Sequence, residues 1–312
     1  MFRQLIAAAT RSFATSLNRA TPMLLALSLL TAGTTASAWQ KTEVSMRIGS
    51  MNRTATVYLP DVPSARDRWP VVMVLHPGFA TGEDMARISR LHLQPGSENF
   101  VFVYPDGFRR SWNARECCGR AQARNIDDVG FLTRLADQIG TMVPTQSKMF
   151  VAGYSNGALM AYRLACDVPE RLAAFSVYAG APRLSTSTCS PARSVPLLHL
   201  HGELDAVAPL EGGESSIASA GTRVSVLNNI QWWSQMNGCA RSQPSNFISR
   251  AQCTEYSGCR NGSQTLFCIY PGQGHYWPGS EASGFGERRG LGPARSDLNG
   301  GQHMIRFFEK YR

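Results

Sequence analysis

Long apolar runs are scarce in this 312-residue chain. The N-terminal run Met23 to Leu30 falls well short of the roughly 20 residues a membrane-crossing helix needs, so no membrane span is expected. No sequence period of about 20–50 residues recurs, which excludes solenoids and propellers. Charged residues make up 17% and apolar residues 43%, which excludes a disordered, solvating chain. No CxxC pair occurs, and no histidine lies near a cysteine at zinc-site spacing. Linkers rich in Ser, Thr or Pro are also missing, so a single domain is expected.

The first 38 residues contain no acid. They hold Arg3, Arg11 and Arg19, then the short apolar run, then Thr34-Thr35-Ala36-Ser37-Ala38. A basic start, an apolar core and an A-x-A end are the parts of a secretory signal, so residues 1–38 are read as one and 39–312 as the functional domain. No twin-arginine pair precedes the apolar run, which favours the general secretory route. The expected destination is extracellular, with the periplasm as the alternative. Losing the three arginines takes the 31 basic residues to 28 against 22 acidic, a net of +6. No basic cluster accompanies that charge, so no nucleic-acid partner is expected.

All eight cysteines lie after residue 38, and an even count in an exported chain reads as disulfides. The expected pairs are Cys166–Cys189, Cys239–Cys259 and Cys253–Cys268. Cys117 and Cys118 are left over, with a vicinal bridge one option for them.

Strand-like and helix-like segments alternate after residue 43. Val44–Ile48 and Thr54–Leu59 read as an antiparallel pair. Pro70–Leu75 and Phe100–Tyr104 are continuous apolar runs, as in strands buried on both faces. Leu132, Leu135, Ile139 and Met142 are spaced by three and four in a helix expected from about Asp128. Further strands are expected at Met149–Ala152, Ala174–Tyr178, Val195–Leu200 and Gln264–Tyr270. Helices are expected at Asn156–Cys166, Asn228–Met236 and Gln302–Lys310. This alternation implies an α/β fold with a mostly parallel central sheet and helices on both faces. Reactive groups in such folds gather at the carboxyl ends of the strands.

Three strand ends carry reactive residues. Gly153-Tyr154-Ser155-Asn156-Gly157 follows a strand and opens a helix, the context in which G-x-S-x-G thrusts a serine hydroxyl out of the sheet. A serine nucleophile needs a base, and the base an orienting carboxylate, in the order Ser, Asp or Glu, His. Asp205, after the strand ending at Leu200, is the chosen acid, with Glu203 the rival. Asp106, Asp127 and Asp128 precede the serine and read as turn and helix-start residues. His275, on the glycine-flanked Gly274-His275-Tyr276 loop, is the base. His76 and His201 read as structural hydrogen-bonding residues, and His92 and His303 as packing or surface residues. His199 and His201 form an H-x-H without a third ligand, so no metal is expected. The oxyanion needs two backbone N–H donors. Asn156 supplies one and the loop after Leu75 the other, with Gly78 preferred and Phe79 the alternative.

These stretches, together with Tyr104-Pro105-Asp106-Gly107, Cys117-Cys118-Gly119, Ser155-Asn156-Gly157-Ala158-Leu159-Met160 and His275-Tyr276-Trp277-Pro278, resemble the secreted poly(3-hydroxybutyrate) depolymerase and feruloyl esterase family of α/β-hydrolases. The chain departs from that family at Pro77, where glycine is more usual. The resemblance implies an α/β-hydrolase fold, a triad of Ser155, Asp205 and His275, no cofactor, and Trp277 lining the acyl pocket. It implies a serine esterase acting on 3-hydroxybutyrate polyester or oligoester. The alternative is a feruloyl or acetyl esterase on plant polysaccharide, and the remoter one a non-catalytic binding protein on a hydrolase scaffold. Beyond His275, the glycine-rich stretch 279–301 carries Arg288 and Arg289. It reads as a surface connection or as a cationic rim beside the ester.

Overall fold

A hairpin starts the fold: β1 (Trp39–Ile48) and β2 (Met51–Pro60) pair antiparallel across Gly49-Ser50, the first longer than expected at its start and the second at both ends. The computed structural model describes residues 39–61 and 67–312, so the expected secretory signal lies outside the described residues. The next elements are β3 (Val71–Leu75), α1 (Gly82–Ser89), β4 (Val101–Pro105), α2 (Gly119–Ala123) and α3 (Asp128–Met142). They are followed by β5 (Met149–Tyr154), α4 (Asn156–Asp167), β6 (Leu172–Tyr178) and β7 (Leu197–Gly202). A small hairpin of β8 (Gly213–Glu214) and β9 (Thr222–Arg223) precedes α5 (Val226–Met236). The chain closes with β10 (Arg241–Ser245), β11 (Gln252–Ser257), β12 (Thr265–Tyr270), α6 (Gly284–Arg288) and α7 (Gly300–Phe308).

Ten strands form one sheet in the order β1-β2-β4-β3-β5-β6-β7-β12-β11-β10. The centre, from β4 to β12, is parallel, and each edge is an antiparallel pair. Alternation along the central strands splits the core into two layers. Val71, Met73 and Leu75 of β3 face α3, α4 and α5 through Phe131, Met160 and Trp233. Val72 and Val74 face α1 and α7 through Met85, Met304 and Phe307. The expected α/β fold with helices on both faces is therefore the observed one. Among the described residues no helix is long and apolar enough to cross a membrane.

Helices α1, α2 and α6 and strands β8, β9, β10 and β11 escaped the sequence reading. Helix α1 starts at a glycine, but Thr81 and Asp84 form a reciprocal capping box that fixes its start. Strand β10, Arg-Ser-Gln-Pro-Ser, has no apolar alternation because it is an exposed edge, where Pro244 is tolerated. Helix α6 is one short turn inside the glycine-rich stretch, capped by Ser283. The cysteines pair as Cys166–Cys189, Cys239–Cys259 and Cys253–Cys268, with Cys117 bonded to Cys118. Cys253–Cys268 joins directly opposed residues of β11 and β12.

Candidate active site

Strand β5 delivers Ser155 at its carboxyl end, and the turn into α4 is tight. Ser155 sits at φ 54°, a conformation that costs an L residue energy. The glycines beside it make that turn sterically possible. A Cβ on Gly157 would lie 2.2 Å from the Leu75 carbonyl oxygen, and one on Gly153 would lie 2.4 Å from the Gly157 carbonyl oxygen. The Ser155 N–H donates to the Tyr178 carbonyl at 2.9 Å, tying the turn to β6.

Asp205 and His275 come from loops after β7 and β12, and the parallel pairing of those strands brings both to the sheet edge where β5 ends. His275 Nε2 lies 2.9 Å from Ser155 Oγ, and His275 Nδ1 lies 2.8 Å from Asp205 Oδ2. The three expected triad residues are thus hydrogen-bonded in series. Burial alone would raise the Asp205 carboxyl, but the facing His275 outweighs it, aided by backbone N–H donors, so its pKa is lowered. Asp205 Oδ1 accepts from the N–H groups of Val207 and Ala208. The rival Glu203 turns elsewhere and accepts from the Gly272 N–H at 2.8 Å.

The loop carrying His275 is held on three sides. The Tyr154 and Tyr178 hydroxyls each donate at 2.5 Å, to the carbonyls of His275 and Gly274. The backbone at 291–293 pairs back onto it: Gly274 N–H donates to Pro293 and His275 N–H to Leu291. Trp277 is 3% exposed and packs edge-on against Tyr154 and Tyr178. The ring thus lies in a buried aromatic layer with the two tyrosines that hold the histidine loop.

Gly78 approaches the nucleophile turn, with a Cβ built on it 3.9 Å from Asn156 Cβ. The Phe79 N–H is committed to the Arg110 carbonyl at 2.9 Å, while the Gly78 N–H has no acceptor among the described residues. That leaves Gly78, the preferred donor, free. Asn156 begins α4, where the first N–H groups have no intrahelical acceptor. Its side chain is locked by two bonds with the Trp112 backbone, at 2.7 and 3.1 Å. Behind it, Asp128 accepts from the Asn113 N–H and pairs with Arg53 at 2.8 Å, both side chains buried. Asp127 caps α3, and Asp106 accepts from Thr54 Oγ1 and the Gly82 N–H. Asp127 and Asp106 thus do the expected helix-start and turn duties, whereas Asp128, expected to do the same, spends its carboxylate on the buried pair with Arg53 and on the Asn113 N–H.

The remaining histidines are bonded within the protein, four of them buried and His303 partly so. His76 accepts from the Gly107 N–H at Nε2, so its Nδ1–H donates to the Pro77 carbonyl, and burial pushes its pKa down to about 4. His199 and His201 spend their ring nitrogens on a chain from Tyr162 Oη to His199, to His201, to the Ala208 carbonyl. This assignment of tautomers follows from the network. The chain links helix α4 to the Asp205 loop, with His201 Nε2 3.6 Å from Asp205 Oδ2. The sequence signal for it was only the H-x-H spacing. Within the glycine-rich stretch, the Arg289 guanidinium lies over the exposed rings of Phe79 and Phe285, at 4.4 and 4.6 Å. Arg289 therefore latches that stretch to the loop following Gly78.

A strand-borne serine in a strained turn, hydrogen-bonded in series to a histidine and an aspartate, on a parallel sheet, defines an α/β-hydrolase. Residues 54–244 match the dienelactone hydrolase family, and the chain belongs to that family. It is similar to "Feruloyl esterase C" of Emericella nidulans, 29% identical over 56% of each chain, so the match spans about half of that relative. It is also similar to "Feruloyl esterase D" of Neurospora crassa, 25% identical over 73% of this chain and 76% of the other. Among solved structures, the acetyl xylan esterase from Aspergillus awamori aligns with a TM-score of 0.53 at 16% identity, over 80% of this chain and 99% of that one. Family and fold make the protein a carboxylic ester hydrolase.

Proposed function

We propose that the protein is a secreted serine esterase acting on feruloyl or acetyl esters of plant polysaccharide. The observation that carries the chemistry is the unbroken Ser155–His275–Asp205 hydrogen-bond series. His275 Nε2 takes the Ser155 proton as Oγ attacks the ester carbonyl. The tetrahedral oxyanion lies against the N–H groups of Gly78 and Asn156. Collapse expels the alcohol, which takes its proton from His275. Water, deprotonated by His275, then releases the acid and restores Ser155. Asp205 holds the imidazole in the tautomer with its proton on Nδ1 and stabilises the imidazolium.

Relatives named as feruloyl esterases support the polysaccharide-ester substrate over the hydroxybutyrate polyester that the motif resemblance favoured. Four disulfides support an oxidising compartment, in keeping with residues 1–38 acting as a removed export signal. The test labels the purified protein with a fluorophosphonate and compares turnover of methyl ferulate, p-nitrophenyl acetate and 3-hydroxybutyrate oligomers. Labelling at Ser155 with ferulate or acetate turnover is expected. Labelling with turnover of hydroxybutyrate oligomers alone would return the substrate to polyester, and no label on Ser155 would end the serine-esterase reading.

A further inference from the structure

A cavity of about 140 Å³ opens along α4, the helix that begins after Ser155; none of Ser155, Asp205 and His275 lines it. One wall is Leu159, a turn of α4 beyond Ser155, and another is Ala181, which follows Gly180. Gly180 lies so close to the Ser155 carbonyl oxygen that a Cβ on it would be 2.7 Å away. A third wall, at Ala114, continues from the Trp112 backbone that locks Asn156.

The charge of this cavity is one-sided. Its lining carries Arg115, Arg163, Arg183 and Arg223 against a single acid, Glu116. Arg115 and Arg163 share Asp167, and Arg183 faces Glu116 at 3.8 Å. Arg223 differs, because among the described residues its guanidinium has no carboxylate partner and one long bond, 3.4 Å, to the Ala220 carbonyl. It projects from β9, on the hairpin that follows the Asp205 loop. Burial works against its charge and the field of Asp205 supports it. A half-buried guanidinium with most of its fork unused is costly to keep unless something fills it.

We propose that this cavity is a carboxylate subsite, in which Arg223 pairs with an anionic carboxylate carried by the ester substrate. The inference rests on the esterase reading for its substrate. A carboxylate matches the planar fork of a guanidinium, and the excess of arginine over acid favours an anion of any origin. Two kinds of ester carry such a group: a hydroxy-acid oligomer with a free acid end, and an acylated uronic acid of a glycan.

Binding separates this idea from turnover. Calorimetry on the Ser155→Ala protein compares each acid with its neutral methyl ester, using 3-hydroxybutyrate dimer for one pair and feruloyl galacturonate for the other. In at least one pair the acid is expected to bind about tenfold more tightly, and the responding pair identifies the source. The preference should shrink with added salt, vanish on adding Arg223→Gln and return in part with Arg223→Lys. Equal binding of acid and methyl ester in both pairs overturns the subsite whatever the variants do. So does a preference that survives in an Arg223→Gln protein with a parental melting curve. Failure of fluorophosphonate to label Ser155 in the parental protein would strike the esterase reading, and leaves this binding comparison intact.

Discussion

Asp205 accepts three hydrogen bonds, one from His275 and two from backbone N–H groups, while buried. Those donors fix its carboxylate against the imidazole and leave little room for another acid to substitute. Asp205→Asn should keep the packing and reverse the preferred imidazole tautomer, lowering kcat about 10⁴-fold. Glu203→Gln removes only a bond to the Gly272 N–H and should cost far less. Steady-state kinetics of both variants on p-nitrophenyl acetate check this. The opposite ranking would transfer the orienting role to Glu203. At the same scale, Tyr154 and Tyr178 fix the His275 loop: their hydroxyls hold the carbonyls of His275 and Gly274.

The turn between β5 and α4 is the most constrained element. Helix α4 begins so close to β3 that Gly157 has no space for a methyl group, with the obstacle being the rigid Leu75 backbone rather than a side chain. Gly157→Ala must push α4 away from β3 or distort the turn that holds Ser155. Either outcome moves Ser155 Oγ relative to His275 Nε2, and a displacement near 1 Å costs roughly 10²-fold in rate. The variant is expected to lose at least that much turnover and to melt several degrees lower. Parental kinetics with Gly157→Ala would mean that the approach of α4 to β3 is looser than the structure has it. The edges of the sheet obey different rules: β10 carries Pro244 and exposed polar side chains, which discourage pairing with another chain.

For the whole molecule, buried histidines set the acid limit. Burial lowers the pKa of His76, His92 and His303 from the ordinary 6.5 to about 4, and lowers those of His199 and His201 as well. The unfolded chain takes up protons below pH 6.5, whereas the folded chain resists until about pH 4. Stability is therefore full above pH 6.5 and is lost as the pH falls through that window. His76 alone contributes on the order of 3 kcal/mol to this dependence. Tm is expected to fall by about 10 °C or more between pH 7 and pH 4.5. A flat Tm profile over that range would contradict the burial of these rings. Asp205, lowered by His275, adds a loss only at still more acid pH.

The sequence by itself determined the parallel core, because strands buried on both faces must be continuous apolar runs such as Val71–Leu75 and Val101–Tyr104. It also determined the candidate triad, since G-x-S-x-G between a strand and a helix, followed by an acid and a histidine at later strand ends, is a local pattern with a fixed order. The helix-start duty of Asp127 was legible for the same local reason. Only the tertiary structure decided what depends on distant segments meeting. Trp277 became a buried support because Tyr154 and Tyr178, from two other strands, close around it. The Tyr162–His199–His201 chain joins α4 to β7, and no spacing in the sequence announces the tyrosine. The Gly78 N–H is left free while Arg110, 32 positions later, captures the neighbouring N–H of Phe79. The cavity along α4 gathers arginines from four separate segments, and their common charge exists only once the fold has brought those segments together.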